Sequence, residues 1–369
     1  MTTRRQFLQG LVALGALSLC GPVLAAQPRR LVMVHLFGGN DGLNTIVPYQ
    51  HSAYRKARPT LALSSSQLIS LGSGLGMHPA LRPLEPLWKQ GKMTVVQGVG
   101  YEHPERSHFV SSDIWHAAGC AAGEGWLGKL AAGQGWELVQ ADDQSLSRAL
   151  WSPQVSPICL HPGADSPVGW PSEVERALQQ LYAGSEQRHL ARTFAKMQQV
   201  RRLRASCQGE RWQGSPLRQS LGAVLDTWKM GRIFHATVGG FDTHGDQGRR
   251  QAEALGQVAQ ALAEFYQELQ RRGWDNDCLI AIYSEFGRRV EENASQGTDH
   301  GGAGPVLLLG GGTRGGLIGE HPDLADLVDG DLRHSIDFRQ VYATLLEGWL
   351  QTDSKKILGG SFETLPCWA

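Results

Sequence analysis

The sequence predicts an α/β protein, built as a three-layer sandwich with a mostly parallel central sheet and a partly helical insertion. Five apolar runs have the length of strands but lack strict alternation with polar residues, as expected for strands buried on both faces. Helical patterns lie between the runs, which is typical of a parallel sheet covered by helices. Glycine is abundant, with 46 of 369 residues, and clusters where the apolar runs end. The predicted strands cover residues 31–36, 93–99, 233–238, 278–283 and 306–309.

The helical patterns are clearest in the second half of the chain. Apolar residues recur at the helical period over residues 249–272, and Gly273 then provides a stop signal. A second amphipathic helix is predicted over residues 337–350, with Asp337 as its N-cap. His78 is interpreted as the start of a shorter helix.

The middle of the chain is less regular. We predict that roughly residues 119–214 form an insertion that packs over the core and contains a polar helical part. The remaining elements are expected to belong to one domain, which spans residues 26–369 and includes this insertion.

Residues 1–25 have the form of a twin-arginine (Tat) signal peptide. Arg4 and Arg5 precede a mildly apolar stretch that ends in small residues, so cleavage is expected after Ala25 or Ala26. This signal predicts export of a folded protein to the periplasm or beyond. No lipid anchor is expected at Cys20, because the preceding leucine is too large for a good lipoprotein cleavage site.

Composition and charge exclude several classes of protein. The formal net charge is +0, and no basic run is interleaved with aromatic residues, so nucleic-acid binding is not expected. No apolar segment after the signal is long enough to cross a membrane. Five cysteines follow the signal without a CxxC pair, which disfavours a zinc–thiolate site and allows one or two disulfides with one cysteine left over.

Polar residues gather where the predicted strands end, in the segments "FGGNDGLN", "ERSHF", "GGFDTHGD" and "SEFGRR", and in "TDHGGAG" before the last strand. Ligands of parallel sheets bind beyond the carboxyl ends of the strands, so these segments indicate one site. Each segment alone also has an ordinary reading as a turn or a helix cap. Carboxylates mixed with imidazoles suit zinc, manganese or iron better than calcium or magnesium.

Three histidines have more than one reading. His35 lies inside the first predicted strand and is interpreted as a structural histidine. For His103 and His108, contact with a substrate and a role at a helix start remain equally open.

These motifs resemble the bacterial DUF1501 family, which groups with the alkaline phosphatase and sulfatase superfamily. The resemblance is carried by "LVMVHLFGGNDGLNTIVPY", "ERSHF", "VGGFDTHGDQ", "YSEFGRR" and "TDHGGAGPVLLLGGGTRGG", in the same order and over nearly the whole chain after the signal. It implies an alkaline phosphatase-like fold with one or two divalent metals, zinc or manganese before calcium or magnesium. The ligands it implies are Asp41, Asp242, His244, Glu285 and His300.

The resemblance also implies a nucleophile at a helix start, which matches Ser107. Arg106 and Arg288 are candidates to neutralise the charge of an oxyanion through a bidentate fork. Two features depart from the superfamily pattern: "DTH" spaces its two ligands closely, and Phe286 stands where a second metal would find a histidine.

The best hypothesis is a metal-assisted hydrolase of a phosphate or sulfate ester, carried by a small molecule or a polymer. The alternative is an exported binding or assembly factor on a degenerate hydrolase fold, which Phe286 favours. Hydrolysis of a carboxylic ester by Ser107 with a histidine partner ranks lower, because the chain has no G-x-S-x-G elbow.

Overall fold

The computed structural model describes most of the chain after the predicted signal, namely residues 28–119, 123–162, 212–321 and 323–368, with 173–174, 176–177, 180 and 195–198 between them. The predicted signal peptide and Cys20 lie outside these residues. Most of the polar helical part of the predicted insertion lies outside them as well.

A nine-stranded sheet forms the centre of the fold. Its strands are β1 (Arg30–Leu36), β5 (Met93–Gly100), β6 (Leu138–Ala141), β7 (Ile158–Leu160), β8 (Ile233–Val238), β9 (Cys278–Tyr283), β10 (Gly304–Gly310), β11 (Gly316–Ile318) and β14 (Ile336–Asp337). Their order across the sheet is β11-β5-β10-β9-β1-β8-β6-β7, with β14 beside β5. All five predicted strands are present. Smaller sheets are formed by β2 (Ile46–Val47), β3 (Ile69–Gly72) and β4 (Leu75–Met77), and by β12 (Leu327–Val328) with β13 (Asp331–Leu332).

The central sheet is parallel except around β10. β1 pairs in parallel with β8 and β9, whereas β10 runs antiparallel to both β5 and β9. The start of β10 therefore lies at the sheet edge where its neighbours end. This reversal explains how a residue that precedes a strand shares an edge with residues that follow strands.

α-Helices and short 3₁₀ and π turns connect the strands. Within residues 28–119, 123–162, 212–321 and 323–368, the α-helices are α1 (Gly42–Thr45), α2 (Ser52–Ala57), α3 (Glu85–Lys89), α4 (His108–His116), α5 (Trp126–Gln134), α6 (Pro216–Asp226), α7 (Gln247–Arg272), α8 (Phe338–Thr344) and α9 (Ser354–Leu358). Short 3₁₀ turns cover Pro79–Leu84, Arg148–Leu150 and Asp275–Asp277, and a π turn over Leu345–Trp349 extends α8.

The predicted helix boundaries are confirmed where capping chemistry marks them. α7 ends at Gly273, whose φ of 69° is left-handed and favours glycine. Asp337 caps α8 in a capping box with Gln340. His78 begins the first 3₁₀ turn, and its side chain accepts a hydrogen bond from the amide of Ala80.

The sheet is covered on both faces, which confirms the predicted three-layer sandwich. Val32 and Val34 of β1 belong to a core that includes the buried side of α6 and α7. Leu31 and Met33, which point the other way, belong to a second core with residues of α4, α5 and α8.

The predicted insertion differs from the structure in its first part. β6 and β7 lie within residues 119–214, yet both are strands of the central sheet, and β6 pairs directly with β8. The core therefore includes this part of the chain at least to Leu160. The two strands have only four and three residues, so the apolar pattern of each is too short to be recognised in the sequence.

Among the described residues, the cysteines and helices bear on two further predictions. Cys159, Cys278 and Cys367 are free thiols, while Cys120 and Cys207 lie outside the described residues. The described part of the chain contains no helix long and apolar enough to span a bilayer.

Candidate metal centre

Three histidines and one aspartate converge at the carboxyl edge of the sheet. They are His108, Asp242, His244 and His300, and we call them the histidine–aspartate cluster. His108 is the first residue of α4, Asp242 and His244 follow β8, and His300 precedes β10. One ligand atom each from His108, Asp242 and His300 lies within 4.8 Å of the other two, which is a spacing that can hold a metal ion.

Oδ1 of Asp242 lies at the centre of the cluster. It lies 3.4 Å from Nε2 of His108, 3.1 Å from Nε2 of His244 and 3.2 Å from Nε2 of His300. The Nε2 atoms of His244 and His300 are 2.9 Å apart. The same nitrogen of all three rings is therefore directed to one carboxylate oxygen.

The other ring nitrogen of each histidine is held by an oxygen. Nδ1 of His108 lies 2.7 Å from Oε1 of Glu285, and Nδ1 of His244 lies 3.2 Å from Oδ1 of Asp299. Nδ1 of His300 lies 2.7 Å from the carbonyl oxygen of Arg106. Carboxylate and carbonyl oxygens only accept hydrogen bonds, so each Nδ1 carries the proton. In the neutral ring, Nε2 then carries the free lone pair.

A divalent cation fits this set of donors. Two lone pairs that face each other at 2.9 Å repel unless a proton or a cation lies near them. Burial lowers the pKa of His300, which disfavours a proton there. Nε2 of His108 is buried and has no hydrogen-bond partner among the described residues. Metal-bound histidines donate their second N–H to an oxygen in this way, and zinc takes both imidazole and carboxylate ligands.

The glycine turn after β1 packs closely against residues of the cluster and its neighbours. Gly38 and Gly39 have φ values of 118° and 67°, which other residues rarely adopt. A Cβ atom on Gly38 would lie 2.5 Å from the amide nitrogen of Asp242, and one on Gly39 would lie 2.3 Å from the ring of Phe286. The amides of both glycines donate to Oε1 of Glu285, at 2.8 and 3.1 Å.

Glu285 is a buried carboxylate whose hydrogen bonds come from several sides. Besides the glycine amides and His108, it accepts a hydrogen bond from Nε2 of His35 at 3.1 Å. Burial alone would raise the pKa of Glu285, but the hydrogen bonds from His108 and His35 outweigh it and hold the pKa well below its ordinary value. The carboxylate is therefore ionised and orients the ring of His108.

Asp242 is held ionised by Arg288. Nη2 of Arg288 lies 2.7 Å from Oδ1 of Asp242. Burial alone would raise the pKa of Asp242, but the hydrogen bond and charge of Arg288 outweigh it and lower the pKa to about 2. Asp242 consequently keeps its negative charge at any ordinary pH.

The sequence model described as "Protein of unknown function (DUF1501)" matches residues 172–360, just over half of the chain. The chain belongs to the DUF1501 family. The match includes Asp242, His244, Glu285 and His300, and His108 lies outside it. No curated protein sequence matches the chain.

Solved structures of transferases, synthases and sulfatases resemble this DUF1501 protein in fold. The lipooligosaccharide phosphoethanolamine transferase A of Neisseria meningitidis is 9% identical with a TM-score of 0.45, and the match covers 96% of this chain and 64% of that protein. The lipoteichoic acid synthase LtaP of Listeria monocytogenes is 10% identical with a TM-score of 0.45, covering 91% and 76%. The sulfatase PsFucS1 of a Pseudoalteromonas species is 11% identical with a TM-score of 0.40, covering 98% and 72%.

Asp41 is the sequence-predicted ligand that the structure places in a different setting. The guanidinium of Arg58 contacts both of its carboxylate oxygens, and the amide of Leu43 and the side chain of Gln247 also donate to it. Asp41 and Arg58 are 1% and 0% exposed, so they form a fully buried ion pair. In this DUF1501 protein, the contacts of Asp41 are thus those of a structural carboxylate.

Arg288 is likewise engaged by the fold. It is buried, its Nε donates to the carbonyl oxygen of Gly39 at 2.7 Å, and its Nη1 donates to that of Thr298 at 2.7 Å. Its backbone also forms an isolated bridge with His300. The guanidinium therefore links the loops that carry the cluster, and its N–H groups are directed at backbone oxygens and at Asp242.

Ser107 and Arg106 lie beside the cluster on the loop that precedes α4. Ser107 is exposed at the N-cap position, and its side chain makes no capping hydrogen bond. The guanidinium of Arg106 donates to Oδ2 of Asp331 at 2.7 Å, while its carbonyl oxygen accepts from His300. Arg106 thus orients His300 through its backbone.

The rings of Phe37 and Phe286 both lie against the ring of His108. The ring of Phe286 stacks on His108 with centroids 4.9 Å apart and lies 5.0 Å from His300. His35 is buried, as predicted for a structural histidine, and stacks on Tyr283 with centroids 4.8 Å apart. Sequence reasoning left the role of His108 open. The signal that could have assigned it was its place in a strand-end segment with the other candidates.

Proposed function

We propose that this DUF1501 protein is an exported, metal-dependent hydrolase of a phosphate or sulfate ester. The observation that carries the proposal is the convergence of three imidazole Nε2 atoms on Oδ1 of Asp242, each ring oriented by an oxygen at Nδ1. Export is proposed from the sequence of residues 1–25.

In the proposal, the histidine–aspartate cluster holds one divalent metal, zinc or manganese. Such an ion would supply Lewis-acid polarisation of the ester oxygens. Hydrogen bonds to Nδ1 fix the orientation of each imidazole ring. Glu285 orients His108, Asp299 orients His244, and the carbonyl oxygen of Arg106 orients His300. Arg288 keeps Asp242 ionised.

Ser107 is proposed as the nucleophile. Its hydroxyl is exposed, is not used as a helix cap, and belongs to the residue next to His108. Attack of Oγ on phosphorus or sulfur would form a covalent ester and release the alcohol of the substrate, and water would then hydrolyse that ester.

Three other predicted site residues receive supporting roles in the proposal. Glu285 accepts hydrogen bonds from backbone amides and from two histidines, so its proposed role is to position His108. Arg288 and Asp41 are buried and engaged by the fold, so they support the loops and leave substrate binding to other groups. A second metal would have to find ligands outside this set, because Phe286 stands beside the cluster where a nitrogen ligand was expected.

The second candidate is a non-catalytic exported binding or assembly factor. It is favoured by the number of protein ligands, since the cluster offers four groups and zinc sites closed by four protein ligands are structural. A catalytic site keeps one position open for water or substrate, which requires that one of the four groups stays off the metal.

Turnover distinguishes the two candidates. The full chain, loaded with zinc or manganese, is assayed against para-nitrophenyl phosphate, bis-para-nitrophenyl phosphate and para-nitrophenyl sulfate. The hydrolase reading predicts turnover of at least one ester and a loss of about a hundredfold or more in kcat for Ser107→Ala. Ser65→Ala, in an exposed turn, is the matched control and should keep full activity. Metal binding without turnover of any ester, and without an effect of Ser107→Ala, would favour the binding factor.

A further inference from the structure

An exposed phenylalanine stands directly beside the histidine–aspartate cluster. Phe109 follows His108 in the chain and is 78% exposed, the largest value for a large apolar side chain among the described residues. The next residue, Val110, is 42% exposed. Single exposed apolar side chains are ordinary, but two adjacent ones next to a candidate site form a surface that a ligand can use.

The exposed ring is connected to the cluster through a second phenylalanine. The centroid of the Phe37 ring lies 6.1 Å from that of Phe109 and 5.5 Å from that of His108. The ring of His108 in turn lies 4.3 Å from that of His300. We call Phe37, Phe109 and Val110 the aromatic shelf. Within it, Phe37 is partly exposed and connects Phe109 to the edge where the cluster lies.

Packing of α4 does not account for the exposed side chains. The buried residues of this helix are Ser111, Ser112, Trp115 and His116. Trp115 alone stacks on Phe338 with centroids 4.7 Å apart and on Tyr283 at 5.4 Å. The helix therefore packs on the core through these residues, and the side chains of Phe109 and Val110 are available to a ligand.

We propose that the aromatic shelf binds the apolar part of the ester substrate, an aryl group in particular, while the anionic part lies at the cluster. This inference rests on the proposed function and names the class of substrate. Aromatic rings pack on one another at centroid distances of 4.5–7 Å, which is the range already present between Phe37 and Phe109. Ligand sites combine apolar walls with a few polar groups, and the shelf with the cluster has this composition.

Charge near the shelf argues against an anionic membrane surface as its occupant. Glu102 and Glu105 lie on the same loop and are exposed. Their carboxylates would repel anionic lipid headgroups, whereas membrane-binding surfaces are rich in lysine and arginine. A small aryl ester presents its charge to the cluster and its ring to the shelf.

Non-hydrolysable analogues test this without relying on turnover. Binding of phenylphosphonate and methylphosphonate to the metal-loaded full chain is measured by calorimetry, and the pair benzenesulfonate and methanesulfonate is measured in the same way. The wild-type protein should bind the phenyl member of one pair roughly tenfold more tightly, because the ring removes apolar surface from water. Phe109→Ala should remove most of this preference and leave the affinity for the methyl member within about twofold. Trp151→Ala, at an exposed aromatic elsewhere, should leave both affinities unchanged.

The outcomes separate the inference from the proposed function. If the methyl and phenyl members bind equally and Phe109→Ala changes nothing, the shelf does not bind the substrate, while binding of both analogues still supports the cluster as an anion site. If no analogue binds although metal is present, the proposed function itself fails. If Phe109→Ala reduces sedimentation with anionic vesicles but leaves the phenyl preference unchanged, the shelf is a membrane contact and the inference is overturned.

Discussion

Nδ1 of His108 donates a hydrogen bond to Oε1 of Glu285 over 2.7 Å, and two backbone amides donate to the same oxygen. This contact turns the Nε2 lone pair of His108 toward Asp242. It gives Glu285, which the resemblance implied as a metal ligand, a contact that orients the ring of His108.

Substitution Glu285→Gln should therefore weaken metal binding. The neutral amide keeps one acceptor oxygen for the glycine amides and His108, but it loses the negative charge and places an N–H group against His35 and Ser284, so the ring of His108 is held less firmly. Affinity for zinc should fall about tenfold to a hundredfold, as measured by competition with a chromogenic chelator. Glu253→Gln, at an exposed carboxylate of α7, serves as the control. Wild-type affinity in a folded Glu285→Gln protein would contradict the orienting role.

Substitution Asp41→Asn should cost stability and leave the metal in place. Removal of the negative charge leaves the buried guanidinium of Arg58 uncompensated, which destabilises a protein by about 3 kcal/mol or more. Urea unfolding measures the loss, and elemental analysis measures the metal. Loss of the metal at unchanged stability would instead return Asp41 to the ligand role implied by the resemblance.

The buried ion pair of Asp41 with Arg58 shows what a sequence can and cannot predict here. The five long apolar strands were predictable because strands buried on both faces need continuous apolar runs. The shared edge followed from topology, and the structure brings Asp242, His244 and His300 together there. The partner of Asp41, however, is Arg58, which lies 17 residues away in sequence. Nothing in the sequence distinguishes this arginine, which the fold buries, from arginines that lie on the surface. No local pattern predicts such a pair.

Metal affinity should weaken as the pH falls. The hydrogen bond to Glu285 raises the pKa of His108, so this ring takes up a proton at a higher pH than an ordinary histidine. Asp242, with a pKa of about 2, stays ionised throughout. Protons therefore compete with the metal for His108 at a higher pH than they would for an ordinary histidine. Titrations with zinc at several pH values measure this effect. Constant affinity between about pH 8 and pH 5.5 would show that His108 does not bind the metal.

Stability should also decrease in mild acid, for a separate reason. Burial lowers the pKa of His235 to about 3 and that of His78 to about 4, and it holds the pKa of His116 well below its ordinary value. The unfolded chain binds these protons from about pH 6.5 downward, while the folded chain does not until lower pH. The free energy of unfolding should therefore be largest above pH 6.5 and fall toward pH 4.

His78→Asn provides the matched variant for this effect. Asparagine can still accept the hydrogen bond from the amide of Ala80, so the cap is kept while the titrating ring is removed. The pH-dependent loss between about pH 6.5 and pH 4 should shrink by up to about 3 kcal/mol. An unchanged pH profile of urea unfolding would show that His78 does not contribute to acid sensitivity.

The central claim is that the histidine–aspartate cluster holds a divalent metal, and elemental analysis of the folded protein tests it most directly. The account predicts about one zinc or manganese ion per chain in the wild-type protein and in His103→Ala, whose ring is 93% exposed on the same loop as His108. It predicts that the double variant Asp242→Asn/His300→Ala loses the ion and keeps its fold, as measured by circular dichroism. A wild-type protein that stays free of metal after exposure to both ions, or a double variant that keeps its metal, would contradict the account.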